Sequence, residues 1–196
     1  MKHAAAVILA GGRSSRMGTN KAFLRLNGKT FIEIMLEKVT AYEEIFISSN
    51  EPDLYAFIGI PVVPDRANGL GPMEGIRASL EAADFDYVSF LPCDAPLIPR
   101  GLAETILERA KGHDAALPVF GGRKEPLLAC YRKTLIPLLE EMEAAGIRKA
   151  GAVFQRCDTA VVDLAALTRT FGDPKDYLIN ANDPETFQSL ANIPPD

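Results

Sequence analysis

Two rhythms alternate along the chain: short continuous apolar runs, and longer stretches with apolar residues at helical spacing. Residues 4–9 form an unbroken apolar run of strand length, the pattern of a strand buried on both faces of a sheet. Thr30 and Glu33 make a capping box, and Ile32, Met35, Leu36 and Val39 continue from it at helical spacing. Residues 45–49 and 61–63 read as the next strands. Pro72 suits the first position of a helix whose apolar face is Met73, Ile76, Leu80 and Ala83. Residues 87–91 predict a further strand and 101–110 a helix. Residues 115–120 and 127–131 flank Gly121-Gly122, which predicts a hairpin-like pair. Leu135, Leu138, Leu139 and Met142 make another helical stripe, ended by Gly146. A short strand at 160–162 and a helix entered through Asp183-Pro184 complete the series. This alternation predicts one α/β domain, a Rossmann-like three-layer fold with helices on both faces of a mostly parallel sheet. The hairpin makes that sheet mixed. No repeat, low-complexity tract or long linker interrupts the 196 residues, a length that suits one substantial core.

Composition narrows the function classes. With 47% hydrophobic and 24% charged residues the chain has ordinary globular content. No apolar stretch approaches the roughly 18 residues of a membrane span. Lys2 and His3 precede a run that leads straight into a glycine loop, which does not read as a secretory leader. Cys93, Cys130 and Cys157 are odd in number and form no CxxC, arguing against a disulfide framework or zinc site and for a cytoplasmic protein. His3 and His113 leave little room for histidine catalysis. The net charge of −5 argues against a nucleic-acid binder. Its distribution is more telling: Lys2, Arg13, Arg16, Lys21, Arg25 and Lys29 all precede the first acid, Glu33. A cationic front on an acidic chain suggests a local anion site, although a solvated charged patch would look the same.

The sequence LAGGRSSRMGTNK at 9–21 gives that site a shape. Gly11 and Gly12 directly follow the first strand, where a missing Cβ permits a sharp turn and close approach to a ligand. In open α/β sheets ligands bind beyond the carboxyl ends of the strands. Arg13, Arg16 and Lys21 then supply three cations. A terminal phosphate carries about −1.5 to −2 charges, and a helix N-terminus offers only about half a positive one, so a polyphosphate needs such side chains. The spacing is not that of a Walker A loop, because five residues separate Gly12 from Gly18 and Thr19-Asn20 separate Gly18 from Lys21. A GxGxxG fingerprint is absent too.

Two aspartates stand at further strand ends. Asp94, in LPCDAP after residues 87–91, places a carboxylate on the ligand edge, and magnesium needs only one or two carboxylates beside phosphates and water. A turn or capping role before Pro96 is the alternative. Asp65 precedes Arg66 and the Gly69-Leu-Gly-Pro72 turn, which opens a helix whose free amides could assist an anion; an acid before a glycine-rich turn is also commonplace.

The loop at 9–21 resembles the signature loop of the molybdenum cofactor guanylyltransferases, the MobA family of nucleotidyltransferases. PCDAP resembles that family's metal-binding aspartate motif, and INANDPE at 179–185 its closing Asn-x-Asn-x-Pro-Glu segment. The likeness is sharp over the first hundred residues and looser afterwards. It implies that Leu9, Ala10, Gly11 and Gly12 line the base and ribose, and that Arg16 and Lys21 bind phosphates, with Arg13 a secondary candidate. It further implies that Ser48, Asn50 and Asp65 contact the nucleotide and that Asp94 holds Mg2+, the catalytic set being Arg16, Lys21 and Asp94. Asn180 and Asn182 would lie near a pterin, whose ring suits an amide's paired donors and acceptors; helix capping around Asp183 explains the segment equally.

The implied activity is transfer of GMP from GTP to the phosphate of molybdopterin (the molybdenum cofactor), giving the guanine dinucleotide cofactor and pyrophosphate. Residues 1–100 would form the nucleotide-binding half and 101–196 the acceptor-binding half. The implied partners are GTP, molybdopterin and transient proteins in cofactor delivery, with no nucleic acid and no membrane. Cytidylyl relatives usually read Leu-Ala-Ala-Gly, so Gly11 tilts the base toward guanine. Cytidylyl or uridylyl transfer to molybdopterin or a sugar or polyol phosphate is the alternative, as is an inactive nucleotide-binding regulator. Arg148, Lys149 and Arg156 are either cations for an acceptor phosphate or an exposed charged face. Gly121-Gly122-Arg123-Lys124 is a lid or a plain hairpin tip. Cys93 reads as a small buried hydrophobe rather than a nucleophile.

Overall fold

In a computed structural model that describes residues 1–11, 20–66 and 71–191, the first apolar run becomes the central strand β1 (Lys2–Leu9). Ala4 to Ile8 are all buried, and alternate residues enter different cores. Ala4, Ala6 and Ile8 face one core, whose members include Phe31, Ile32 and Met35 of α1 (Phe31–Lys38). Ala5 and Val7 face the other, with Met73, Ile76 and Leu80 of α2 (Pro72–Ala82). A strand covered on both sides has no polar face, which is why its sequence does not alternate. The α1 capping box forms as the spacing predicts: Thr30 Oγ1 accepts from Glu33 N while Glu33 accepts from Thr30 N.

The remaining strands are β2 (Arg25–Leu26), β3 (Lys29–Thr30), β4 (Tyr42–Ser48), β5 (Val62–Val63), β6 (Tyr87–Pro92), β7 (Ala115–Phe120), β8 (Arg123–Lys124), β9 (Ala129–Arg132) and β10 (Thr159–Asp163). The further helices are α3 (Leu102–Ala110), α4 (Ile136–Ala144), α5 (Thr168–Phe171), α6 (Pro174–Tyr177) and α7 (Pro184–Ala191). Residues of α3 join the α1 core and residues of α4 the α2 core, giving the expected three layers. The main sheet runs β10-β7-β9-β6-β1-β4-β5. Only β9 on that path is antiparallel to its neighbours, so the sheet is mixed and mostly parallel.

The hairpin takes a less direct form than its spacing suggests. Gly121 and Gly122, both at positive φ, turn the chain into the two-residue β8, which pairs with the end of β7. The chain then crosses to β9, which pairs with the start of β7 and inserts between β7 and β6. The β2–β3 hairpin, with Asn27 and Gly28 both at positive φ, is an addition to the predicted elements; Asn-Gly is the usual signal for that tight turn. No described helix is long and apolar enough to cross a membrane.

Candidate functional site

The register of four adjacent strands builds the site. Leu9 pairs with Pro92 on one side and Ser48 on the other, and Ser48 pairs with Val63. These parallel strands therefore end together, and the residues that follow them share one rim: Ala10 and Gly11, Cys93 and Asp94, Ser49 and Asn50, Pro64 and Asp65. Main-chain bonds extend the register past the strands, from Ala10 N to Ser48 O (3.0 Å), Cys93 N to Leu9 O (3.0 Å) and Ser49 N to Val63 O (3.1 Å).

Lys21 returns to this rim through a short 3-10 turn, Lys21–Phe23, capped by Asn20, whose Oδ1 accepts from Ala22 N at 3.0 Å. Tyr55 anchors the turn from below. It is fully buried, stacks on Phe23 with 5.4 Å between centroids, donates to Ala10 O at 3.3 Å and accepts from Asn20 Nδ2 at 3.3 Å. One side chain thus ties together the strand that enters the glycine loop and the turn that leaves it. Sequence reasoning missed Tyr55, because nothing local separates it from the neighbouring surface aromatic Phe57.

Lys21 and Asp94 meet. Lys21 Nζ lies 3.0 Å from Asp94 Oδ2 and 2.6 Å from Asn182 Oδ1. Ala181 N donates to Asp94 O at 2.8 Å, so the 180–182 segment is stitched to the aspartate by main chain as well. Three segments far apart in sequence converge on one cation. Asn180 is half-buried and its carbonyl accepts from Asn182 N. The capping role of Asp183 is also real, since its carboxylate accepts from Thr186 N at 2.8 Å.

Asp65 sits one strand beyond Ser48. Asn50 holds it reciprocally: Nδ2 donates to Asp65 Oδ2 and Oδ1 accepts from Asp65 N, each at 2.8 Å. Gly75 on α2 allows this convergence. A Cβ there would lie 2.8 Å from Ser48 Oγ and 3.4 Å from Asp65 Oδ1. The buried Ser48 therefore turns its hydroxyl toward α2, and Gly75 is a second residue that the sequence did not single out. Gly11 is not required by the backbone at its own position. Its φ lies outside the left-handed region, and a Cβ would stand 3.6 Å from Ser48 O, ordinary contact that the protein itself tolerates. Gly12, Arg13 and Arg16, with Gly69 and Leu70, lie outside the described residues.

Burial raises the Asp65 carboxyl above its ordinary range; the Asn50 hydrogen bond opposes this and the Glu74 charge adds to it. The fold thus penalises the charged form of Asp65 relative to the unfolded chain. The associated stability is present in acid and lost as pH rises through the folded-state value. Asp65→Asn is expected to melt higher than the parent at neutral pH, with the gap closing as pH falls below the carboxylate range. Thermal melts across pH check this, and a gap independent of pH would contradict it.

Cys93 is buried beside Asp94, and burial first, then the Asp94 charge, push its thiol far above the ordinary value. A thiol so far from ionising is no nucleophile. Cys93→Ser is expected to keep most activity while losing about 1–3 kcal/mol of stability to a buried hydroxyl without a partner. Assay and melt together check this; a folded but inactive variant would contradict it.

Among the described residues no group of three or more His, Cys, Asp or Glu could hold a metal. Asp94 offers one carboxylate beside Lys21, which suits an ion that takes its other ligands from phosphates and water. Arg156 pairs at 2.6 Å with Glu141 just before the end of α4, and the Arg123 of the hairpin pairs with Glu125, so neither is brought to Asp94. The backbone of Arg148 packs against Gly71 at the start of α2, and Lys149 is exposed. A cavity of about 210 Å³ lies beyond the end of β7, lined by Phe120, Arg123, Glu125, Pro174, Lys175 and Leu178.

The family model described as the MobA-like NTP transferase domain matches residues 6–161. The probable molybdenum cofactor guanylyltransferase of Carboxydothermus hydrogenoformans is 30% identical, with 98% of each chain covered. The molybdenum cofactor guanylyltransferase of Shewanella sp. (strain MR-4) is 35% identical over 95% of this chain and 94% of its own. Among solved structures, the molybdopterin-guanine dinucleotide biosynthesis protein A of Archaeoglobus fulgidus superposes with a TM-score of 0.81, covering 95% of this chain and 96% of its own. At 24% identity that last likeness is one of fold.

Proposed function

The chain belongs to the MobA-like NTP transferase family and is a nucleotidyltransferase, and from that premise we propose that it transfers GMP from GTP to the phosphate of molybdopterin. The observation that carries this reading is the meeting of Lys21 and Asp94, 3.0 Å apart, at the rim where the strands end. An acceptor phosphate oxygen attacks the α-phosphorus in line, the bond from that phosphorus to the bridging oxygen breaks, and pyrophosphate leaves with the electron pair. No general base is needed, because the acceptor phosphate is already ionised at neutral pH. That agrees with the positions of His3, beside Glu43, and His113, beside Asp158, both away from Asp94.

Lys21, with Arg16, offsets charge on the departing pyrophosphate. Asp94 is the residue that would hold Mg2+, and the ion would supply Lewis-acid stabilisation. Leu9, Ala10, Gly11 and Gly12 with Ser48, Asn50 and Asp65 form the nucleotide side, within residues 1–100. Asn180, Asn182 and the cavity beyond β7 belong to the acceptor side, within 101–196, in a protein of the cytoplasm that hands its product to transient partners. The names of the relatives support guanine and molybdopterin as substrates.

Incubation with α-labelled GTP, Mg2+ and molybdopterin is expected to yield labelled guanine dinucleotide cofactor and stoichiometric pyrophosphate. Titration with the four nucleotides is expected to show GTP bound tightest. Tightest binding of CTP or UTP would refute guanylyl transfer, and GTP binding without pyrophosphate release in a folded preparation would refute turnover. Because a Cβ at Gly11 meets nothing among the described residues closer than Ser48 O at 3.6 Å, altered base choice in Gly11→Ala reports on the ligand.

A further inference from the structure

Behind Asp65 lies an ionic cluster that the transfer reaction leaves without a role. Glu74, the third residue of α2, is 0% exposed, and Arg77 one turn on is 4% exposed. Glu74 Oε2 accepts from Arg77 Nε at 3.0 Å. Arg77 Nη1 donates to Glu81 Oε1 at 2.8 Å, and Arg77 Nε to Glu143 Oε2 of α4 at 2.9 Å. Burial first, then the neighbouring Glu74, raise the Glu143 carboxyl, as expected where three acids share so little solvent.

Packed apolar side chains would hold α2 against α4 at least as well as a buried ionic cluster. Its distinctive feature is the second oxygen of Glu74. Oε1 accepts from Arg66 N at 2.8 Å, and the Arg66 guanidinium is itself 2.6 Å from Glu81 Oε2. Asp65 N is already held by Asn50 Oδ1. The two successive amides that bracket the Asp65 Cα are thus each gripped by a side chain, one from the loop after β4 and one from α2. That fixes both backbone torsions of Asp65 and with them the direction of its Cα–Cβ bond, while Asn50 Nδ2 holds the carboxylate itself at 2.8 Å.

We propose that Glu74 is a positioning residue for nucleotide binding, orienting Asp65 through the Arg66 amide, with Arg77 holding the Glu74 carboxylate in place. This rests on the reading that Asp65 contacts the nucleotide. Glu143 shares Arg77 but not the Arg66 amide, so it separates orientation of the turn from stability of the cluster.

The test measures the Kd for GTP without acceptor, together with melting temperature, for the parent protein, Glu74→Ala, Glu143→Ala and Asp65→Asn. Both glutamate variants are expected to melt lower. Glu74→Ala is expected to raise the GTP Kd about tenfold, the scale of one lost preorganising hydrogen bond, and to raise KM for GTP with kcat at saturation nearly kept. Glu143→Ala is expected to keep the parent Kd, and Asp65→Asn to weaken binding at least as much as Glu74→Ala. Parent-like GTP affinity in Glu74→Ala, or equal weakening in Glu143→Ala, would overturn the positioning role while leaving guanylyl transfer standing. Parent-like affinity in Asp65→Asn would instead remove Asp65 from the nucleotide site, and the inference with it.

Discussion

Asp94→Asn is expected to cut Mg2+-dependent turnover by on the order of 10²–10³-fold or more, with little change in melting temperature. The two effects separate because the fold holds this residue by its main chain and not by its carboxylate. Asp94 O accepts from Ala181 N at 2.8 Å and the adjacent Cys93 N bonds to Leu9 O at 3.0 Å; both survive an isosteric change of side chain. The side chain's own partner is Lys21 in an ion pair whose members are 24% and 21% exposed. An asparagine Oδ1 in the same place can still accept from Lys21 Nζ, so most of this contact survives the substitution. What asparagine removes is the negative charge that faces Lys21, at a rim where the described residues hold no group of three or more acids, histidines or cysteines to take over a metal. Turnover followed across a Mg2+ titration, a melt, and GTP affinity in chelator separate the possibilities. Retained GTP affinity with lost turnover supports the assignment. Turnover within about tenfold of the parent would place the ion elsewhere.

The layered fold was legible because burial writes itself into composition. Ala4 to Ile8 carry no polar residue, as a doubly covered strand requires, and the α1 capping box is spelled out at Thr30 and Glu33. The rim residues were legible for a related reason: glycines and aspartates immediately past apolar runs occupy the one edge where such a sheet binds ligands. Contacts between distant segments left no comparable mark. Glu74 and Arg77 look like a solvated pair three residues apart on a helix, and only the approach of α4 and the β5 turn makes them interior. Tyr55 and Gly75 act by bridging or admitting elements whose proximity no local spacing encodes. The 179–185 segment was ambiguous between capping and site: the structure shows Asp183 capping α7 and Asn182 reaching Lys21.

Lys21→Ala is expected to lower kcat/KM for GTP on the order of 10²-fold or more, with the loss falling on the phosphates. In the protein without nucleotide the ammonium is satisfied by Asp94 and Asn182. A triphosphate must share or displace those contacts, so the gain on binding is smaller than an isolated ion pair would give. Removal of Lys21 nevertheless acts twice in the same direction. The phosphates lose a cation, and Asp94 is left facing them without its partner, adding repulsion where there was attraction. In the proposed assignment the base and ribose are addressed from residues 9–11 and Asp65, so guanosine and GMP should bind the variant nearly as well as the parent. Affinities for guanosine, GMP, GDP and GTP, compared at low and high salt, provide the measurement. The deficit should grow with phosphate number and shrink as salt screens the partly exposed site. An equal deficit for guanosine and GTP would instead mean that freeing Asp94 and Asn182 had disordered the rim, and the cation's role would be structural.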